Sequence, residues 1–200
     1  MSIICIGDSI TFGYPSGPEF SWVERVRQRT GRHMINLGMN GSTSLYMLHN
    51  YEYYTPKEEA THVHILGGGN DPLQQLTWSE TKRNMQSLIA LAKERNAVPV
   101  IGLPTPCCYN PSGGGSFVPD YAMEPLILWK ARYRDWLKEF SKEHSILLVD
   151  YYTPFCAPGS PYGDGKYFYD ESHLSEEGNE LMAKLVEQWV NDNIQHLFAG

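Results

Sequence analysis

Five short runs of apolar and β-branched residues punctuate the chain: SIICIG at 2–7, HMINLG at 33–38, HVHILGG at 62–68, VPVIGLP at 98–104 and SILLVDYY at 145–152. Each ends near Gly, Pro or Asp, and longer helix-like or polar stretches separate them, as in a parallel sheet whose strands are buried on both faces. Between the third and fourth runs, residues 78–95 place Met85, Leu88, Ile89 and Ala92 on one helical face. Between the fourth and fifth, Leu126, Trp129, Tyr133, Trp136, Leu137 and Phe140 do the same. The last segment offers Ser175 as an N-cap and Glu176 and Glu177 for the first turn, then a buried face of Leu181, Leu185, Val186, Trp189 and Val190. The pattern predicts a three-layer α/β/α domain over residues 1–200, with helices on both faces of the sheet.

Two irregular segments interrupt this rhythm, at 104–123 after the fourth strand and at 151–170 after the fifth. Loops of such length are usually functional. Both follow carboxyl ends of strands, the edge at which open α/β sheets bind ligands.

That edge gives meaning to the first turn, GDS at 7–9. If the first strand is central, the Ser9 hydroxyl points into the ligand crevice. Serine becomes a nucleophile when an imidazole takes its proton and a third group holds the far ring nitrogen. YDESH supplies Asp170 and His173 three residues apart, just before the last helix. Acyl transfer also needs donors aimed at the developing oxyanion. NLGMNGSTS after the second strand and GGGND after the third offer glycine amides and the Asn70 side chain on the same edge. A G-D-S turn or a D-x-x-H pair alone is commonly just a turn or a solvated pair. Their convergence on one edge carries the reading.

Together these residues resemble the SGNH, or GDSL-type, hydrolase family of esterases and lipases. GDSIT, NGSTS, GGND and DESH match its four blocks in order. The resemblance implies Ser9 as nucleophile, His173 as general base and then acid, and Asp170 as orienting carboxylate. It also implies an oxyanion hole built from the backbone amides of Ser9 and Gly41 and the Asn70 side chain. Gly38 competes for the second block, but Gly41 lies further past the strand and is followed by Ser-Thr. The expected fold is flavodoxin-like, a five-stranded parallel sheet in order 2-1-3-4-5, and no metal or organic cofactor is implied. The favoured reaction is hydrolysis of small acyl esters, with acetyl esters of a sugar or glycoside first. A lysophospholipase or acyl thioesterase is the alternative within the same chemistry, and a non-catalytic flavodoxin-like ligand-binding module is the rival from another class.

Charge narrows the partners. With 16 Lys and Arg against 23 Asp and Glu, a net −7, the chain has no basic footprint for nucleic acid or anionic lipid. No apolar run approaches the roughly 20 residues that cross a bilayer, so membrane insertion is not expected and a small-molecule ester is the expected partner. Cys5, Cys107, Cys108 and Cys156 show no C-x-x-C spacing and read as free thiols of a cytoplasmic protein.

Other conspicuous residues receive plainer readings. His62 and His64 share a strand face at the end away from the site and read as structural, since zinc would need further ligands. Gly67 to Gly69 lack the spacing and lysine of a phosphate cradle. Cys107 and Cys108 fall in a substrate-side loop where an exposed thiol would be easily modified, but nothing nearby argues a lowered pKa and they read as a bystander pair. Asp71 is expected to orient the Asn70 turn. Tyr151, Tyr152, Tyr162, Tyr167, Phe168 and Tyr169 suit either loop packing or a stacking wall for a sugar ring.

Overall fold

The computed structural model describes residues 2–54 and 60–194. The five apolar runs form β1 (Ser2–Gly7), β2 (His33–Gly38), β3 (His62–Leu66), β4 (Val98–Leu103) and β5 (Leu147–Asp150). All neighbours are parallel, in the order β2-β1-β3-β4-β5. The helices are α1 (Ser9–Phe12), α2 (Trp22–Thr30), α3 (Ser44–Tyr54), α4 (Trp78–Glu94), α5 (Asp120–Glu143) and α6 (Glu176–Ile194).

Alternation along β1 divides the core. Ile3 and Cys5 join Trp22, Val26, Met182 and Val186 beneath α2 and α6. Ile4 and Ile6 join Met47, Met85, Leu88 and Leu137 beneath α3, α4 and α5. Helices thus cover both faces, as a sheet buried on two sides requires. The chain winds outward from β1 to β2 and then reverses to β3, so the carboxyl ends of β1 and β3 flank a topological switch point. Gly7 and Leu66 end these strands in register.

The helix faces match the expected periodicity, with two adjustments. α5 begins at Asp120, four residues inside the expected loop, behind Pro119 at the N-cap. In α6 the most buried positions are Met182, Ala183, Val186 and Val190, while Leu181, Leu185 and Trp189 pack at its margin.

The two long segments bind each other through their backbones. Cys108 N donates to Glu171 O (2.9 Å), Gly163 N to Cys107 O (2.8 Å) and Gly115 N to Tyr169 O (3.1 Å), while the Glu171 carboxylate accepts from Phe117 N (2.7 Å) and Val118 N (3.1 Å). This seam closes over Cys107 and Cys108, so neither thiol is exposed for modification. Both are buried, because the 151–175 segment folds over them, and burial pushes the Cys108 thiol up. All four cysteines are free. Tyr151 and Phe168 are fully buried in the core, so neither belongs to a stacking wall.

Candidate active site

The turn that carries Ser9 grows directly out of β1. A Cβ at Gly7 would sit 2.0 Å from Thr11 Oγ1 and 2.4 Å from Leu66 O, so only glycine lets the strand turn into α1 here. Asp8 caps the turn, its Oδ1 accepting from Ile10 N at 3.0 Å. Ser9 follows as the first residue of α1.

The partner arrives 164 positions later. Ser9 Oγ lies 2.8 Å from His173 Nε2, and His173 Nδ1 lies 2.7 Å from Asp170 Oδ2. Asp170 Oδ1 accepts from the amides of Ser172 (2.9 Å) and His173 (2.8 Å), which shapes the turn that carries the imidazole. Burial opposes ionisation of Asp170, but the bonds from the His173 ring and these amides outweigh it and lower its pKa. With an ionised acceptor at Nδ1, that nitrogen carries the proton and Nε2 accepts from the serine hydroxyl. The turn is anchored by Tyr169 N donating to His173 O (2.9 Å) and by Ser175, whose Oγ accepts from Gly178 N (3.1 Å) to cap α6.

Two aromatic rings that sequence reasoning did not single out flank the imidazole. Tyr14 and Phe117 have ring centroids 4.5 and 4.7 Å from that of His173. They come from the loop after α1 and from the 104–119 segment, so no local spacing announces them.

On the other side of Ser9, Asn70 follows the β3 strap Gly67-Gly68-Gly69, and its Nδ2 donates to Ser42 O at 3.0 Å. One of two amide protons is used, leaving the second free to donate. Asp71 does more than orient its own turn: its buried carboxylate accepts from Ser44 N (2.8 Å), Ser44 Oγ (2.5 Å) and Thr81 Oγ1 (2.7 Å), tying the turn to the starts of α3 and α4. Burial nevertheless leaves its pKa raised.

The structure separates the two glycines of the second block. The Gly38 amide donates to Asn36 Oδ1 at 2.9 Å, and a Cβ there would lie 2.2 Å from Phe12 N, so this residue is committed to packing α1. Gly41 has φ +72°, an exposed position and open space around its missing Cβ. Its carbonyl accepts from Gln74 Nε2, and its amide has no partner among the described residues. It sits on the loop that Asn70 holds, outside the immediate lining of the pocket.

Ser9, Asn70 and His173 line one small cavity of about 20 Å³, with Leu73, Phe117 and Lys130 among its other walls. That is room for about one water-sized group.

Among the described residues no cluster of three or more His, Cys, Asp or Glu is placed to hold a metal ion. His64 Nε2 is instead 2.8 Å from Tyr151 OH, and His62 Nδ1 is 3.0 Å from Thr61 Oγ1. No helix among the described residues is long and apolar enough to cross a membrane.

A doubly wound parallel sheet that brings Ser, His and Asp together at its switch point, with an amide side chain across the cavity, has the layout of a serine-type hydrolase. The chain belongs to the GDSL-like lipase/acylhydrolase family, whose family model matches residues 5–181. Among solved structures it is similar to a member of the lipolytic protein G-D-S-L family from Veillonella parvula, with 28% identity, a TM-score of 0.76, and coverage of 97% of this chain and 98% of that one. A GDSL-like lipase from Bacteroides thetaiotaomicron shares the fold at 20% identity and a TM-score of 0.78, covering 96% of this chain and 89% of its own. The lipase/acylhydrolase from Enterococcus faecalis does so at 20% identity and a TM-score of 0.76, covering 96% of this chain and 95% of its own. No curated protein matches the chain.

Proposed function

We propose that this hydrolase is a serine esterase acting on carboxylic esters with small acyl groups, foremost acetyl esters of a sugar or glycoside. The observation that carries the ester reading is the Ser9–His173–Asp170 relay, with links of 2.8 and 2.7 Å. Ser9 Oγ attacks the ester carbonyl as His173 Nε2 takes its proton; the tetrahedral adduct collapses with His173 returning that proton to the departing alcohol. Water activated by the same nitrogen then releases the acid. Asp170 holds the Nδ1 proton and stabilises the imidazolium formed in each step. The amides of Ser9 and Gly41 and Asn70 Nδ2 are the proposed oxyanion donors.

The acyl preference is supported by the narrow cavity of about 20 Å³ at the nucleophile. Exposed ring surface at the rim, from Tyr14 and Phe117, supports a flat polar alcohol such as a sugar ring.

One observation favours the longer-acyl alternative. An apolar groove of about 340 Å³, lined by Pro72, Leu73, Tyr121, Pro125, Leu126 and Trp129, shares Leu73 and Leu126 with the catalytic cavity and offers a path for an acyl tail. Hydrolysis of p-nitrophenyl acetate, butyrate and octanoate by wild type and Ser9→Ala separates these readings. The expected outcome is highest kcat/KM on acetate and loss of all activity in the variant. Preference for octanoate would overturn the small-acyl reading, absence of wild-type activity would leave a ligand-binding module, and activity indifferent to Ser9 would mean a misassigned site.

A further inference from the structure

The three-glycine strap at 67–69 lies against charged and polar groups that the relay does not use. A Cβ at Gly67 would be 3.6 Å from Asp8 Oδ2, one at Gly68 would be 2.8 Å from Tyr133 OH, and one at Gly69 would be 3.6 Å from Lys130 Cε. Lys130 and Tyr133 stand one turn apart on α5. Lys130 is only 2% exposed and its Nζ has no hydrogen-bond partner, although its side chain lines the catalytic cavity. It is the one lysine or arginine among the described residues lining that cavity. An ammonium taken out of water without a contact partner is costly, so its neighbourhood must offset it through space.

The carboxylate that lines the same small cavity as Lys130 is Asp8. Its carboxylate is 5% exposed, immediately precedes Ser9, and is needed as the acceptor for Ile10 N that shapes the turn. Burial raises the Asp8 pKa and the Asp71 charge adds to the rise, while the bond from Ile10 N and then nearby His173 and Lys130 oppose it. A bare carboxylate beside Ser9 would repel the oxyanion that forms on the adduct, and in a water-poor site that repulsion is strong.

Two other roles for Lys130 fit less well. The cavity has room for about one water-sized group, too little for a second anionic substituent beside the scissile carbonyl. Proton abstraction is already served by His173, the partner of Ser9 Oγ.

We propose that Lys130 is a positioning residue, the counter-charge to Asp8 that lets the oxyanion form beside a balanced pair instead of a lone carboxylate. This rests on Ser9 being the esterase nucleophile.

The test uses p-nitrophenyl acetate with wild type, Ser9→Ala, Lys130→Met, Lys130→Arg and the double variant Asp8→Asn/Lys130→Met, each checked for folding by circular dichroism. Lys130→Met should lower kcat about tenfold with KM nearly unchanged, the signature of stabilisation lost in the transition state. Lys130→Arg should retain most of kcat. Removing both charges should recover much of the loss, because the amide oxygen introduced by Asp8→Asn can still accept from Ile10 N while the unbalanced charge is gone. Undiminished kcat in Lys130→Met, an effect confined to KM, or a double variant no better than Lys130→Met would overturn the proposal. If Lys130→Met fails to fold, Lys130→Gln is read by the same criteria, and a Lys130→Arg enzyme as impaired as either also overturns it. Absence of wild-type activity, or its persistence in Ser9→Ala, instead overturns the esterase reading.

Discussion

The protein buries two histidines in similar fashion and leaves them chemically different. His173 is 5% exposed and His64 4%, and each has a hydroxyl 2.8 Å from Nε2, Ser9 Oγ for one and Tyr151 OH for the other. The difference lies at the second nitrogen. His173 Nδ1 meets the Asp170 carboxylate at 2.7 Å, whereas His64 Nδ1 is buried without a hydrogen-bond partner beside the Trp22 ring. Desolvation drives the His64 pKa down to about 4, so that ring stays neutral at ordinary pH. Burial with a hydroxyl neighbour therefore does not make a base. The Asp170 carboxylate, able to stabilise an imidazolium, and the small cavity beside Ser9 are what suit His173 to the proposed role.

The sharpest way to break the catalytic half of this comparison is Ser9→Ala, which should lower kcat by about 10⁶ if the serine, imidazole and carboxylate act as a unit. Steady-state hydrolysis of p-nitrophenyl acetate by the folded variant checks it. Asp170→Asn would leave His173, like His64, without a carboxylate at Nδ1, though with a neutral amide in its place, and should lower kcat by roughly 10⁴. Asn70→Ala removes one proposed oxyanion donor and should reduce turnover by about 10² to 10³, with circular dichroism unchanged; full activity would exclude Asn70 from that role.

The smallest kinetic effect belongs to His64→Gln, for which turnover of the folded enzyme should stay close to wild type, because His64 contacts Tyr151 and Trp22 and is not among the residues lining the Ser9 cavity. Its readout is stability against pH. A histidine whose folded pKa is depressed contributes no loss above its unfolded value of 6.5, and stability falls as pH drops from there towards 4, because only the unfolded chain takes up the proton. The shift corresponds to roughly 3 kcal/mol across that window. Urea unfolding should show the window flattened in the variant. Asp170 titrates lower: its depressed pKa gives stability that is present above the unfolded carboxylate range and lost as pH falls through the folded value, so Asp170→Asn should alter only the more acidic limb.

Five strands were readable because each is a short apolar run with Gly, Pro or Asp at its end, and the inner strands β1, β3 and β4 are buried along nearly their whole length, where period-2 alternation is unnecessary. Ser9, Asn70, Asp170 and His173 were readable because each lies just past a strand or just before a helix, at one edge. Residues placed by tertiary contact were not. Tyr14 and Phe117 reach His173 from separate loops. The burial of Cys107 and Cys108 depends on backbone pairing between segments some 50 positions apart, as in the Gly163–Cys107 bond, which no local pattern encodes. Lys130 did leave a trace: a lysine four residues after Leu126 and three before Tyr133 sits on the apolar face of α5, where a charge is out of place.

The 164-residue separation of Ser9 from His173 gives the site a direction in time. A ribosome adds about 5–20 residues per second, so Ser9 can emerge some 10–30 s before the imidazole that activates it. Through that interval Ser9 has been made while Asp170 and His173 have not. On the proposed roles, the protein stays without its base until the 170–173 turn docks, after all five strands, the last ending at Asp150, have been synthesised.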